Sequence, residues 1–538
     1  MPTITIDGKK CEFEGKKTIL QVALENNIEI PHYCYHPGMS IVASCRICLA
    51  EVAQPDPRKD GELSLIPKLL PTCQSPAVDG AEVYTQSEKA EANQKAVMEY
   101  LLINHPLDCP VCDQAGECYL QDYSYRYGRG YSRFQEAKVK NPKKDVGPHV
   151  LLYSDRCIMC SRCVRFTREV TGTDELCVAG RGHREEIDLF PGKALDNPLS
   201  GNVVDICPVG ALLDKDFLME QRVWFLTSTP SIDGITASGD NIHVDHNDGK
   251  VWRLKPRTNL EVNQWWISDE IRYGWKFVND DRRLTSPMVR AAGAETPEQY
   301  SWREALAHAV ENLRGKRIAL MASPMLSCED AYLLADAVRR FDDHAVLGVG
   351  PVPFHGEDRT FPGGYTIRAE KAPNARGVRR ALDLVGGEGS ALDFDELEPK
   401  LGDVDAVVLT GNYPSEWATD DLASAVAGRF TVLLDTLPNR LTERVDVLLP
   451  AAAWVEKAGT FENVDHRLQA FEKAVNPVEF ARPEAQIAID LLASADLGDW
   501  RQYQAPPTRE MMGGAFVTDV HLPELKDARQ PEMQYVEI

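Results

Sequence analysis

Three sets of metal-ligating side chains crowd the first 207 residues. The first is Cys34-x10-Cys45-x2-Cys48-x24-Cys73. The second is His105-x3-Cys109-x2-Cys112-x5-Cys118. The third is Cys157-x2-Cys160-x2-Cys163, completed by Cys207-Pro208. Together they use eleven of the fourteen cysteines. Each set has four donors around a C-x2-C core. Four thiolates, or three and an imidazole, are what an iron–sulfur cluster needs. Three such sites on one chain predict an electron wire.

The sets differ in chemistry. The first suits a [2Fe–2S] centre, although its opening gap of ten residues departs from the C-x4-C of plant-type ferredoxins. The Cys45-Arg46-Ile47-Cys48 loop can aim backbone N–H groups at sulfide and stabilise the extra negative charge of a reduced cluster. A four-cysteine structural zinc uses similar spacing and remains an alternative. His32 and His36 flank Cys34, but a Rieske site needs two histidines on one iron and two cysteines on the other, so both read as neighbours of the site. In the second set a neutral imidazole replaces one thiolate, which makes a cluster less negative and alters its potential and its coupling to protons. The third set begins like the bacterial C-x2-C-x2-C-x3-C-P run, but Thr167 stands where the fourth cysteine belongs. Cys207-Pro208 supplies that ligand, so one [4Fe–4S] cluster is expected here. Cys11, Cys177 and Cys328 read as small buried apolar residues.

The elements that must position these ligands follow from local signals. Thr3-Ile4-Thr5-Ile6, the Asp7-Gly8 turn and Cys11-Glu12-Phe13 predict a hairpin. Thr18-x-x-Gln21 predicts a capped helix from Ile19 to Asn26. Residues 54–62, QPDPRKDGE, read as a turn-rich insertion. Thr85-x-x-Glu88 predicts a helix over 85–104 that delivers His105, and the aromatic, basic stretch 119–140 reads as a loop around the second set. Short strands are expected at 242–244 and 251–254, either side of an Asn247-Asp248-Gly249 turn. From about residue 300 helices and strands alternate. Ser301-x-x-Glu304 and Ser327-x-x-Asp330 cap two helices, Arg317 to Ala322 is a strand, and the apolar runs 406–409 and 431–434 suit buried parallel strands.

Composition bounds the rest. The chain has 538 residues, 26% charged and 43% hydrophobic, as in an ordinary multidomain globular protein. A net charge of −23 with no basic stripe argues against a nucleic-acid partner. MPTITIDGKK lacks the apolar core of a secretory signal, so a reducing compartment and metal ligation are expected in place of disulfides. No apolar run approaches 18 residues, so membrane contact is expected only through partner subunits. No GxxxxGK[ST] loop occurs, and Gly348-Val349-Gly350 lacks the third glycine of a dinucleotide fingerprint. We expect no NADH, flavin or quinone site and no catalytic residue on this chain.

The spacings, together with the runs Pro31 to Pro37 (PHYCYHP), Cys109 to Cys118 (CPVCDQAGEC) and Cys207 to Leu212 (CPVGAL), closely resemble the large iron–sulfur subunit of respiratory complex I. In bacteria this family is the G-type chain of NADH-quinone oxidoreductase, and in mitochondria it is the 75 kDa subunit. The likeness continues through Ser231-Ile232-Asp233, Arg253 to Pro256 and Trp266 to Arg272. It returns in Asp446 to Ala452 and Glu456 to Asn463, which resemble a molybdopterin-oxidoreductase domain.

The resemblance implies an α+β multidomain chain. A β-grasp [2Fe–2S] ferredoxin domain would span 1–83, a one-histidine/three-cysteine domain 84–140, and a [4Fe–4S] ferredoxin-like domain 141–220. A small β-rich subdomain would take 221–290 and a truncated α/β relic of a molybdopterin-oxidoreductase fold 291–500; beyond it, Pro506-Pro507, Met511-Met512 and scattered charges predict an extended tail over 501–538. The [2Fe–2S] cluster would sit on Cys34, Cys45, Cys48 and Cys73. One [4Fe–4S] cluster would sit on His105, Cys109, Cys112 and Cys118, and the other on Cys157, Cys160, Cys163 and Cys207, with no molybdopterin. Partners would be the NADH/FMN-binding subunit, a 2Fe–2S subunit and the quinone-side subunits of a peripheral arm on the cytoplasmic face of a bacterial inner membrane. The alternative is the same wire in a soluble NAD-linked hydrogenase or formate dehydrogenase. Three departures stand out. Some bacterial relatives carry a fourth cluster on four further cysteines after residue 220, but no cysteine lies between Cys207 and Cys328 here. The gap from Cys48 to Cys73 is longer than usual, and the chain is short for the family.

Overall fold

The computed structural model describes residues 1–291, 293–294 and 296–521. The chain falls into two compact units. One is built from Met1–Leu226 with Phe361–Tyr365, and the other begins at Thr227.

In the first unit the strands Thr3–Ile6 and Lys9–Glu12 pair antiparallel around Asp7 and Gly8, both at positive φ as a primed hairpin turn requires. Strand Glu82–Tyr84 adds parallel to Thr3–Ile6, and Leu49–Pro55 lies beyond it. Alternation buries Ile4, Ile6 and Cys11 on one face. Helix Ile19–Glu25 packs there through Ile19, Leu20, Val22 and Ala23, and the Thr18–Gln21 capping box starts it. This is the β-grasp arrangement expected. Cys48 and Cys73 belong to the same core, so two donors of the first set are anchored on the core face of the sheet.

Two local expectations are corrected. The long helix is Glu88–Leu102, and its cap is Ser87, whose hydroxyl accepts from the Ala90 amide at 3.3 Å. Thr85 is unavailable for that role because its hydroxyl and amide both donate to Asp7. Tyr119–Tyr127 is a helix, not a loop. Tyr119, Tyr123 and Tyr127 recur four residues apart and contact ring to ring, with centroids 5.8 and 5.5 Å apart, and the first two are buried. Farther along, the short helices Arg162–Arg165 and Asn202–Ile206 carry the third set, flanked by small antiparallel sheets.

The second unit opens with antiparallel strands Thr227–Ile232, Asn241–Asn247 and Lys250–Pro256. Its main sheet has seven strands in the order Glu298–Gln299, Met288–Val289, Val447–Pro450, Phe430–Asp435, Ala406–Thr410, Ile318–Ala322, Val346–Val349. The last five run parallel, and Ile318–Ala322, Ala406–Thr410 and Val447–Pro450 are buried along their whole length. Burial on both faces explains their uninterrupted apolar runs. Helices Trp302–Leu313 and Cys328–Phe341 begin at the expected capping boxes, Ser301/Glu304 and Ser327/Asp330.

The tail is also corrected. Residues 505–512 form a helix whose Pro506 and Pro507 occupy the first turn, where no amide is needed, and Gly513 at φ 61° ends it. Strand Val520–His521 then pairs with Leu468–Phe471. Residues 522–538 of the expected tail lie outside the described residues.

Candidate metal centres

The first set gathers as a chain of neighbouring thiols in the β-grasp region. Cys34, Cys48 and Cys73 are buried, and Cys45 is half-buried. Cys34 hydrogen-bonds Cys45 and Cys73, and Cys48 hydrogen-bonds Cys73. Ala43 and Arg46 adopt the left-handed conformation at φ 51° and 60°, which costs an L-residue about 1–2 kcal/mol. That geometry turns the amides of Ser44 and Cys45 toward the Cys34 sulfur. These contacts, led by the neighbouring thiols, hold Cys34 far below the ordinary thiol range and Cys48 at about 7. Donation to Cys34 raises Cys45 and Cys73 correspondingly. Four neighbouring thiols with amides aimed at one sulfur are a donor set that a cationic metal core would render thiolate. His32 and His36 engage backbone: His32 Nδ1 lies 2.8 Å from the Ile30 carbonyl, and His36 Nδ1 accepts from the Gly38 amide at 3.1 Å.

In the second set Cys112 and Cys118 are buried and Cys109 is exposed. The three sulfurs act on one another electrostatically. Burial pushes Cys118 up to about 12, against amides of Gln121 and Leu120 aimed at its sulfur. His105 lies past the end of helix Glu88–Leu102. Burial, then the charges of Arg156 and Lys138, push its imidazole down to about 4, so the ring is neutral at pH 7, as a ligand must be. Its Nδ1 is buried without a hydrogen-bond partner. Gly210 presses close here: a Cβ on it would stand 2.3 Å from the Cys112 sulfur.

The third set lines a single cavity. Cys157, Cys160, Cys163 and Cys207 face it together with Leu152, Ile187, Val209 and Leu212. Met159 and Ser161 take φ 54° and 59°, and the Met159 amide donates to the Cys157 sulfur at 3.3 Å. Amides of Val209, Ala211 and Leu212 point at Cys207, and that of Val164 at Cys163. Burial raises all four thiols, Cys160 to about 11. Buried thiols with amides aimed at their sulfurs are a donor set for a metal core that would render them thiolate. Thr167 is fully buried, with its hydroxyl donating to the Val164 carbonyl at 3.1 Å. Among the described residues no three His, Cys, Asp or Glu side chains meet closely enough to hold a single ion.

The remaining cysteines do other things. Cys11 and Cys328 are buried, and Cys328 packs against Asn374 at 3.6 Å. Cys177 is only partly buried on strand Leu176–Ala179, short of the full burial expected. Around Ser231-Ile232-Asp233 the buried Asp233 carboxylate accepts from the amides of Ile235 and Thr236 and from the hydroxyls of Thr236 and Ser238. In the main sheet the strand order reverses between Ile318–Ala322 and Ala406–Thr410, the place where open α/β sheets bind ligands. Met325, Ala372 and Tyr413 pack together after these strands. Tyr413 stacks on Trp417, with centroids 5.2 Å apart, and donates to the Pro351 carbonyl at 2.7 Å.

Comparison with known proteins finds iron–sulfur domains over the regions that hold these residues. Residues 1–88 match a 2Fe-2S iron-sulfur cluster binding domain. Residues 94–133 match the NADH-ubiquinone oxidoreductase-G iron-sulfur binding region, and 147–213 the ferredoxin-like domain of NADH-quinone oxidoreductase subunit 3. Residues 226–276 match an NDSU1/NuoG-like 4Fe-4S domain, although no cysteine lies in that stretch, and 384–494 match molybdopterin oxidoreductase. The chain is 36% identical over 343 residues to the G-type chain of NADH-quinone oxidoreductase from Rickettsia felis, covering 63% of this chain and 49% of that one. It is 40% identical over 437 residues to the mitochondrial NADH-ubiquinone oxidoreductase 78 kDa subunit of Neurospora crassa, covering 79% and 55%. It thus spans about half the length of these relatives. A solved NAD+-reducing [NiFe]-hydrogenase chain is 29% identical, with a TM-score of 0.36 over 41% of this chain and 91% of that one. On its iron–sulfur regions and its identity to these relatives, the chain belongs to the family of the large iron–sulfur subunit of NADH-quinone oxidoreductase.

Proposed function

We propose that this chain relays electrons within an NADH:quinone oxidoreductase, from an NADH/FMN-binding subunit and its 2Fe–2S partner toward quinone-side subunits. The ligands are Cys34, Cys45, Cys48 and Cys73 for one [2Fe–2S] cluster. His105, Cys109, Cys112 and Cys118 hold one [4Fe–4S] cluster, and Cys157, Cys160, Cys163 and Cys207 hold another. When bound, such clusters take up and release single electrons. The chain's own part is to keep these donors in fixed geometry and to aim amides at their sulfurs. It also buries every donor but Cys109, wholly or in part. The observation that carries this reading is the cavity ringed by Cys157, Cys160, Cys163 and Cys207. Donors spread around a volume suit a multi-iron core better than tetrahedral zinc, which needs all four about 2.0–2.3 Å from one point.

The same reading has no fourth cluster and no molybdopterin. The segment after 220 has a buried carboxylate network in place of thiols. At the crevice of the main sheet Met325 and Tyr413 pack together, with Trp417 stacked on Tyr413. Association with the cytoplasmic face of a membrane is through partner subunits, in keeping with the lack, among the described residues, of any helix long and apolar enough to cross one.

Iron analysis of the reconstituted chain is expected to give about 10 Fe per chain, two plus four plus four. Half that value, or stoichiometric zinc, overturns the reading. Co-purified subunits then identify the assembly, and a hydrogenase or formate dehydrogenase partner would replace the quinone-linked one. His105→Cys is expected to keep a cluster in the second set at a lower potential, because a thiolate adds one negative charge where the imidazole was neutral. An unchanged potential in a redox titration would remove His105 from the ligand set.

A further inference from the structure

One side chain of the first unit belongs to none of the ligand sets yet reaches all three. Arg162 lies between Cys160 and Cys163 and is 1% exposed, among the largest fully buried side chains in the protein. Its Nη1 donates to the carbonyl of Ile206, the residue before Cys207, at 3.2 Å. Its Nη2 donates to the carbonyl of Tyr35, the residue after Cys34. Its guanidinium stands over the ring of Tyr119, the residue after Cys118, 5.8 Å from the centroid. One planar cation therefore touches a residue covalently next to a proposed ligand in each set.

Burying a guanidinium carries a desolvation penalty that only good geometry offsets. Here the fork serves two carbonyls at once, which a lysine ammonium on a flexible stem does not reproduce. The charge also stands beside the third set, because Arg162 lies between Cys160 and Cys163 in sequence and its Nη1 reaches the residue before Cys207. Two neighbouring arginines have narrower reach. Arg165 donates to the carbonyls of Cys34 and Ser40, and its charge faces Cys34 and Cys160, so it joins the first set to the third. Arg156 pairs with Asp108 at 2.9 Å and bears on His105 and Cys112, so it joins the third set to the second.

We infer that Arg162 is a positioning residue common to all three clusters, holding their ligand loops together and raising their reduction potentials with its charge. This rests on the cluster assignment proposed above. Reduction adds one negative charge to each centre. A fixed buried cation stabilises the reduced form more than the oxidised one, most strongly where it is nearest, in the third set.

The test uses the full chain with reconstituted clusters, titrated electrochemically with electron paramagnetic resonance as the readout. Iron in the unmodified chain is counted first. A value well short of about ten means that the cluster assignment has failed, independently of Arg162. With that secured, Arg162→Gln is expected to keep its iron and to lower all three potentials. In the third set the drop is about tenfold in the reduction equilibrium, or about 59 mV for a one-electron couple. Arg165→Gln is expected to move the first and third signals and leave the second in place. Full iron with unmoved potentials in Arg162→Gln overturns the inference, and so does a shift confined to the third set. If Arg162→Gln fails to load iron, Arg162→Lys decides. It keeps a cation but loses the fork, so altered potentials in the first and third sets support the role and unaltered ones reject it.

Discussion

Cys207→Ala is expected to take about four of about ten irons from the chain and to leave the other two sets loaded. Cys207 enters the third cavity from the end of helix Asn202–Ile206, 44 residues after Cys163 in sequence. It is the one proposed ligand of this set outside the C-x2-C-x2-C run, so its loss leaves three thiols lining the cavity. Thr167 offers no substitute. It is fully buried and spends its hydroxyl on the Val164 carbonyl inside its own helical turn. The surrounding fold is expected to survive, because the backbone at this point is held from elsewhere: the Pro208 carbonyl accepts from the Tyr119 amide at 3.0 Å, and strand Leu212–Asp214 pairs with Val150–Tyr153. Iron and sulfide analysis, with the paramagnetic signals counted on full reduction, checks this. Cys177→Ala and Cys328→Ala serve as controls and are expected to hold full iron. A Cys207→Ala chain that still carries about ten irons would remove Cys207 from the set.

Much of this site could be read from sequence because a ligand set is a local pattern of unusual residues. Thiols at C-x2-C spacing announce themselves whatever the tertiary structure does. Capping boxes at Ser301 and Ser327 were equally legible, since each closes its hydrogen bonds within four residues. The misreadings came where a distant partner decides. Thr85 and Ser87 are both plausible caps, and the choice falls to Ser87 because Asp7, 78 residues away, claims Thr85. The segment after Cys118 looked like a loop on composition, but tyrosines four residues apart meet ring to ring, Tyr119 stacked on Tyr123 and Tyr123 edge-on to Tyr127, and favour the helix. Two prolines near residue 506 suggested an extended tail, although the first turn of a helix is where proline costs least. The reach of Arg162 was not legible at all. The sequence places arginines beside the third-set cysteines, but the carbonyls that Arg162 bonds lie 127 and 44 residues away.

Lys457→Met is expected to destabilise the second unit by about 3–5 kcal/mol, the cost of removing one partner from a buried ion pair. Lys457 Nζ lies 2.9 Å from Asp330 and also pairs with Glu484, and all three side chains are at most 1% exposed. Without the ammonium two carboxylates face each other with no cation between them. The damage spreads because Asp330 has other duties: it accepts from the Ser327 hydroxyl at 2.6 Å in the cap of helix Cys328–Phe341, and from the Ala485 amide at 2.9 Å. Glu484 likewise holds Asn412 at the end of strand Ala406–Thr410. The Glu456 to Asn463 run, which resembles an enzyme domain, is thus here a structural knot. Its Gly459 sits so close to Ser327 that a Cβ would come within 2.5 Å. The effect should depend on pH. Burial, opposed by the Lys457 charge, pushes the Glu484 carboxyl up to about 7 from an ordinary 4.5. Between those values the folded chain holds a proton that the unfolded chain has released, so this group's contribution to stability falls as pH rises through the window. Removing Lys457 raises the folded value further. The deficit of Lys457→Met should therefore be smaller at pH 5, where Glu484 is already neutral, than at pH 8. Denaturant unfolding of wild type and variant at both pH values measures it, and an equal deficit at the two would mean that Glu484 does not carry the charge that Lys457 neutralises.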